Sequence, residues 1–462
     1  MKRSLIFLLV LTAILASAVS DNPPRFTTLN EAQPALRAFA KDLPSELKDI
    51  PAQKLETTWP AWVADRDKAV RARLEQGEED TITNLLRFGV TFTKQPRIDW
   101  PSLFKYGQSA GVEFWAQTRA DDLVRALISP GKNEHLRSTR AFLEKRGFAF
   151  DSPSHRARVK EYLLANLARM QKEFLEFQDQ LKALRAANKL DEAKMLELDS
   201  HLFANRGISL DTNIRPNFAI EHALRELLAE KILKPGSVRR VAIIGPGLDF
   251  VNKEEGVDFY PPQTIQPFSV IDSVLKLKLA EGNALQVVTY DISPSVNHHL
   301  SRARTLAAQN VSYRLQIPWD ATKNWSPEFT SYWETFGKQV ALPGRALPVP
   351  NETPELKMRA LSIHPAHVRR VQPTDMNVVF QNQLLADEAK FDLVIGTNIF
   401  VYYGPFEQAL AITNLSRMMR PGAILLSNNY LSIFPESPLK QTGRTSAPLS
   451  KSESEVLFWY QR

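Results

Sequence analysis

The 462-residue chain contains no cysteine. That absence removes disulfide bridges, thiolate zinc sites and cysteine nucleophiles together. It leaves the redox compartment open, because a chain without thiols is at ease in either. A dense block of lysine and arginine is also missing: 58 basic residues oppose 51 acidic ones, and the net charge of +7 is spread over the whole length. Nucleic acid is therefore not an expected partner beyond weak general attraction. There is no Gly-x-Ser-x-Gly elbow and no Walker loop, the motifs that would mark a serine hydrolase or a P-loop nucleotide hydrolase. Histidine is sparse. His298 and His299 are adjacent, and His364 and His367 flank a proline, so neither pair suits one metal ion, and no metal site is expected.

What is present is the composition of a globular protein, 44% hydrophobic and 24% charged, in a chain long enough for two domains. The first twenty residues stand apart. Lys2 and Arg3 precede an apolar run from Leu5 to Ile14, and Ala16-Ser17-Ala18 supplies the small-x-small pattern of a signal-peptidase site. The run falls short of the about 20 residues that a membrane span needs. A cleaved signal peptide at 1–20, and hence export with no stable membrane span afterwards, is the expectation; an uncleaved anchor is the alternative.

Residues 21–235 read as a helical N-terminal domain. Val159, Leu163, Leu167, Met170, Phe174, Phe177, Leu181 and Leu184 follow one another at spacings of three and four, which predicts one long helix with an a/d stripe. An antiparallel partner around Asp191 to Phe203 would cover the stripe, although self-association through it stays open. The acidic cluster Glu78, Glu79 and Asp80 reads as the capped start of a helix.

At Val238 the pattern changes. Apolar strand-like runs, "RVAIIG" and "LQVVTYD", alternate with helical ones, from about Pro267 to Ala280 and Pro294 to Gln309, and "FDLVIG" and "GAILLS" continue the series. This predicts a parallel sheet covered on both faces over residues 236–462. A proline-rich interval at about 317–360 interrupts it and reads as an ordered insertion or lid. The closing "RTSAPLS" and "EVLFWYQR" can form an antiparallel hairpin.

Four segments end or follow these strands and carry the candidate chemistry. Gly245-Pro246-Gly247 after the first strand would let backbone approach a ligand, although Leu248-Asp249-Phe250 replaces the third glycine of a dinucleotide fingerprint. Asp291 ends the next strand, where a carboxylate can accept both hydroxyls of a ribose; capping of the following helix is an equal reading. The others are "PTDMNVV", Pro373 to Val379, and the loop at Thr397 and Asn398. In a parallel sheet all of these strand ends face one crevice.

The order of "VAIIGPG", "VVTYDIS", "PTDMN", "FDLVIGTNIFVYY", "MMRPGAILLSNN" and "EVLFWYQR" resembles the class I S-adenosylmethionine-dependent methyltransferases, with a weaker likeness to the chemotaxis-receptor (CheR-type) group. The resemblance covers about Val238 to Arg462. It implies an α/β fold, a Rossmann-like seven-stranded sheet with an antiparallel last strand, here preceded by an all-α domain, and S-adenosyl-L-methionine as cofactor. It implies that Gly245, Pro246 and Gly247 line the amino-acid part of the cofactor, with Asp249 able to hold its ammonium. Asp291 would bind the ribose, Ile292 would lie beside the adenine, and Asp375 and Met376 would touch the adenine. Thr397 and Asn398 would sit where donor meets acceptor, Asn398 orienting the acceptor and Tyr402 and Tyr403 walling the pocket or contacting the sulfonium; core packing is the other reading of the tyrosines. The expected activity is methyl transfer to an unidentified acceptor. Two alternatives remain at this point: an exported, non-catalytic binding protein that retains the fold, and an NAD-dependent oxidoreductase, which the missing third glycine disfavours.

Overall fold

The structure is a computed structural model that describes residues 22–98, 110–187, 203, 206–249 and 258–462. The export signal at 1–20, most of the expected stripe partner at 191–203 and part of the segment after Phe250 lie outside the described residues. Among the described residues, no helix is long and apolar enough to cross a membrane.

A two-residue strand, β1 (Arg25–Phe26), is followed by helices α1 (Leu29–Ala38), α2 (Ala52–Phe88), α3 (Ala110–Ile128), α4 (Glu134–Lys145), α5 (Pro153–Ala186) and α6 (Ile214–Ala229). Then strands and helices alternate: β2 (Arg240–Ile244), α7 (Gln266–Lys276), β3 (Gln286–Asp291), α8 (Pro294–Ala308), β4 (Tyr313–Asp320), α9 (Pro327–Thr335), β5 (Ala341–Pro343) and β6 (Leu356–Ile363). The chain closes with α10 (Pro365–Arg369), β7 (Val371–Asp375), β8 (Gln381–Asn382), β9 (Phe391–Gly396), α11 (Pro405–Met418), β10 (Met419–Ser427), β11 (Lys440–Pro448) and β12 (Ser454–Gln461).

Seven strands form the main sheet in the order β11-β12-β10-β9-β2-β3-β7. The pairs from β10 to β7 are parallel, and β12 runs antiparallel between β10 and β11. This is the expected Rossmann-like seven-stranded sheet with an antiparallel last strand, and the expected closing hairpin is β11–β12. Side chains alternate along each strand, so the sheet serves two cores. Val241, Ile243, Val287, Leu393 and Ile395 face the first, with α6, α7, α8 and the small sheet against them. Ala242, Ile244, Val288, Val394 and Leu425 face the second.

Helices expected within 21–235 divide between cores. Trp59, Trp62, Val63 and Val70 on the first half of α2 and Ala32, Ala35 and Leu36 on α1 enter the second core beside Leu410 and Leu415 of α11. The second half of α2, with Ile82, Leu85 and Leu86, builds a third core with α3, α4 and the Val159, Leu163 and Leu167 stripe of α5. The 37 residues of α2 span about 55 Å at 1.5 Å per residue, which is how one helix reaches both. Glu78, Glu79 and Asp80 lie within this helix and not at its start, which corrects the capping expectation. Glu79 pairs with Arg146 (2.7 Å) and Asp80 with Arg169, tying α2 to the helices beside it.

The interval expected at 317–360 forms an antiparallel sheet, β4-β6-β5, with α9 beside it. It packs Ile317, Phe329, Tyr332 and Leu361 into the first core. Asp272 of α7 anchors it by accepting the backbone N–H of Gly337 and of Gln339 (2.9 and 2.8 Å). It is ordered, and none of its residues lines the cavity described below.

Between α2 and the chain leading to α6, backbone meets backbone. A Cβ on Gly77 would lie 1.8 Å from the Ile208 carbonyl oxygen, and one on Gly207 would lie 2.1 Å from the Gly77 nitrogen. Gly77→Ala is expected to lower stability by about 1–3 kcal/mol or more, since backbone must move to admit the methyl group. Gly282→Ala, where no heavy atom lies within 4 Å, is the near-neutral control. Thermal unfolding of the two variants measures the difference, and equal midpoints would contradict the contact.

Candidate functional site

A cavity of about 390 Å³ opens at the carboxyl ends of β2, β3 and β9, the crevice where open α/β sheets bind ligands. Parallel pairing aligns these strand ends: Ile244 is in register with Tyr290, and Asp291 with Asp375. Gly245, Pro246, Gly247, Asp291, Ile292, Met376, Thr397, Asn398, Tyr402 and Tyr403 all line it. Asp249 and Asp375 do not.

Gly245 and Gly247 have φ of 60° and 72°, in the region where glycine alone is unstrained. Close approach adds a second requirement. A Cβ on Gly245 would meet the Ile399 side chain at 2.1 Å, and one on Gly247 would lie 2.9 Å from the Leu210 carbonyl oxygen. The glycines therefore admit the protein's own loops as well as any ligand.

Asp291 is buried, and its Oδ1 accepts the Ser293 N–H at 2.7 Å. Burial pushes its carboxyl up to about 7, with the Asp375 charge adding to the rise, while the N–H groups of Ser293 and Gly247 and the Arg71 guanidinium oppose it. The capping reading fails at this position, because Ser293 caps α8 with its own hydroxyl. Asp291 is thus a carboxylate short of donors, which a diol would supply.

Asp375 turns outward and pairs with Arg71 at 2.7 Å. Its neighbour Met376 is buried in the wall. Asp249 is 1% exposed and is bridged backbone-to-backbone with Gln263, whose side-chain Nε2 donates to Asp249 Oδ2 (3.2 Å). Asp249 lies beside the cavity and not in its lining.

Asn398 has φ of 59°. Its N–H donates to Asn428 Oδ1 (2.7 Å) and its Oδ1 accepts from Asn428 Nδ2 (2.6 Å). That side-chain carbonyl, expected to orient an acceptor, is thereby held to the loop after β10. Thr397 Oγ1 accepts from Gln266 Nε2 at 2.8 Å. The Tyr402 hydroxyl accepts the Ser209 N–H at 3.3 Å, and its ring meets Phe203 edge-on at 5.8 Å. Burial raises the Tyr403 phenol well above its ordinary value, so it is neutral at physiological pH and is no base.

Several wall residues carry no motif. Ser209, Leu210, Asp211, Thr212 and Asn213 roof the cavity, and Gln266 and Asn377 complete its sides. Asn213 N-caps α6 by accepting the Arg215 N–H (2.9 Å); Asn followed by Ile-Arg-Pro is a legible helix start, but nothing local says that this start lies over Gly247. Two arginines of α2 hold the walls. Arg71 binds Asp67, Asp375 and the Ile292 carbonyl, and Asp67 accepts from Asn377. Arg73 donates to the carbonyls of Phe203, Arg206 and Tyr402 (2.6, 3.0 and 3.0 Å).

No family model and no curated protein matches the chain. Solved structures similar to it include magnesium protoporphyrin IX methyltransferase (ChlM) from Synechocystis PCC 6803 with bound SAM, at 11% identity over 54% of this chain and 79% of that one, with a TM-score of 0.25. A TehB-like SAM-dependent methyltransferase from Corynebacterium glutamicum is 9% identical over 54% and 100%, with a TM-score of 0.23. A mutant of MtNAS is 9% identical over 75% and 97%, with a TM-score of 0.24. Likenesses this slight carry no argument about activity, and the fold rests on strand order and direction.

The raised Asp291 carboxyl makes a pH prediction. An unfolded aspartate titrates near 3.9 and this one near 7, so between those values the folded chain keeps a proton that the unfolded chain releases. Stability through this group therefore falls as pH rises across that window. Asp291→Asn removes the titration, so the melting temperature of the variant relative to wild type should increase from about pH 5 to about pH 8. A constant difference in calorimetric scans would mean that Asp291 is ionised throughout.

Proposed function

We propose that the chain is an S-adenosylmethionine-dependent methyltransferase whose cofactor lies in the cavity at Gly245, Asp291 and Thr397. The observation that carries this reading is the charge of the lining. Among the described residues it includes Asp211 and Asp291 and no lysine, arginine or histidine. A sulfonium cation is favoured there by simple electrostatics, since Asp211 and, above about pH 7, Asp291 supply negative charge, whereas the diphosphate of a dinucleotide would find no counter-ion in the lining. The NAD-dependent alternative is the weaker for it.

The residues present fit the cofactor. Asp291 would take the ribose hydroxyls, Ile292 and Met376 would flank the adenine, and the Gly245-Pro246-Gly247 turn with Thr212 and Asn213 would border the amino-acid end. When bound, the cofactor supplies a methyl group made electrophilic by its sulfonium. The chain's own part is to hold an acceptor in line with that methyl and to keep water out. Tyr402 and Tyr403 wall this region, and the Arg73 guanidinium already lies 5.9 Å from the Tyr402 ring centre.

The export signal read at 1–20 favours a second reading, a binding protein that keeps the fold without turnover, because the cofactor is made in the cytosol. Fusion of the first twenty-five residues to a reporter tests the proposed export, and retention in the cytosol would remove the objection to catalysis.

Calorimetric titration of the chain with S-adenosylmethionine, S-adenosylhomocysteine and NADH separates the readings. Micromolar affinity for the first two is expected, with at least about a tenfold loss in Asp291→Ala, the cost of a charge-assisted hydrogen bond. Absence of binding at about 1 mM ligand, or preference for NADH, would overturn the proposal.

A further inference from the structure

A second cavity, of about 160 Å³, lies on the face of the sheet that meets the second core. It is formed around Arg240 of β2, Val288 and Tyr290 of β3, and Gln372 and Thr374 of β7. The register accounts for the grouping. Arg240 is paired with Gln286, Val288 with Gln372 and Tyr290 with Thr374, so alternate residues of neighbouring strands converge on one face.

Arg240 is the feature that needs explaining. It is 8% exposed, and among the described residues its guanidinium makes one hydrogen bond, from Nη1 to the Gln286 side-chain oxygen. Its Nε has no partner. The Phe391 ring lies 5.9 Å from the guanidinium carbon, a weak cation–aromatic contact. Asp392 is within electrostatic reach but is occupied elsewhere: one oxygen accepts the backbone N–H groups of Arg239 and Arg240, and the other pairs with Arg420 at 2.7 Å. An arginine does not shed its proton, and burying its charge without a counter-charge is costly. Next to it, the side chains of Gln372 and Thr374 are half-buried in the same lining and make no hydrogen bond among the described residues. A buried cation and two polar side chains with donors to spare thus share one small cavity.

We propose that this cavity is a binding site for a small anion, a carboxylate or a phosphate, with Arg240 as its counter-charge and Gln372 and Thr374 as further donors. The volume of about 160 Å³ is ample for inorganic phosphate or a short carboxylate. A planar guanidinium matches the oxygens of either anion in pairs. The site does not depend on methyl transfer. It does share a wall with the first cavity, since Tyr290 lines both and its hydroxyl is held by Gln383 at 2.5 Å.

Titration calorimetry of the full chain with inorganic phosphate and, separately, with acetate tests the proposal. Saturable binding of one of them is expected with a Kd of about 1 mM or tighter, and the tighter of the two identifies the class of anion. Arg240→Met should weaken it at least tenfold. Thr374→Val leaves the guanidinium and its packing in place and should weaken it severalfold, which keeps the test valid if the arginine variant fails to fold. Asp291→Ala should bind the anion as wild type does, separating this site from the first cavity. Failure of wild type to saturate at about 10 mM of either anion, or wild-type affinity in Thr374→Val, would overturn the assignment.

Discussion

Arg71 and Arg73, two residues apart on α2, hold different parts of the wall of the ligand cavity. Arg71 links the loops after β3 and β7 through the Ile292 carbonyl and Asp375, and Arg73 draws together the carbonyls of Phe203, Arg206 and Tyr402. The sheet alone supplies strand ends and no enclosure. Enclosure comes from the packing of a helix whose first half is part of the second core and whose Gly77 touches the backbone of Gly207 and Ile208. Each guanidinium hydrogen bond to a carbonyl replaces one to water, so its net worth is modest; what the set contributes is position.

This arrangement gives the helical region a direct part in the site. Asp211, Thr212 and Asn213 reach the cavity because the chain from Arg206 onward is held against α2 before α6 begins. Asp211 then adds a second negative charge to a lining that already contains Asp291. Two acidic side chains, Asp291 ionising only near pH 7, and no lining cation disfavour an anionic ligand before any specific contact is counted. On the same sheet the opposite arrangement occurs at Arg240, where a cation is buried among neutral groups. β2 and β3 thus border both cavities, and Tyr290 separates a negative one from a positive one.

Much of the architecture was legible because it depends on short-range pattern. Continuous apolar runs at Arg240 to Ile244, Gln286 to Asp291 and Phe391 to Gly396 announce strands buried on both faces, and the order of the motifs gave the sheet its expected topology, down to the closing hairpin. Asp291, Thr397 and Met376 follow from being at strand ends that parallel pairing must align. Asp249 and Asp375 lie outside the lining for a shared reason: each sits near a motif, but its carboxylate is engaged by a residue the motif does not contain, Gln263 in one case and Arg71 in the other. Glu79 and Asp80 sit in the interior of α2 and not at a cap, because that helix runs unbroken through Pro60 and Gly77, residues that locally argue for an end.

By itself the sequence determined the alternation of elements, the faces they bury and the list of strand ends that could meet a ligand, since these need nothing beyond periodicity and turn chemistry. Tertiary structure decided which side chains share a cavity, that α2 spans two cores, and that residues 209–213 roof the site. It also decided that Asn398 is held by Asn428 and that Arg240 is buried without a carboxylate. These all rest on contacts between residues tens to hundreds of positions apart, and no local pattern encodes which distant backbone a glycine will touch or which carbonyl an arginine will find.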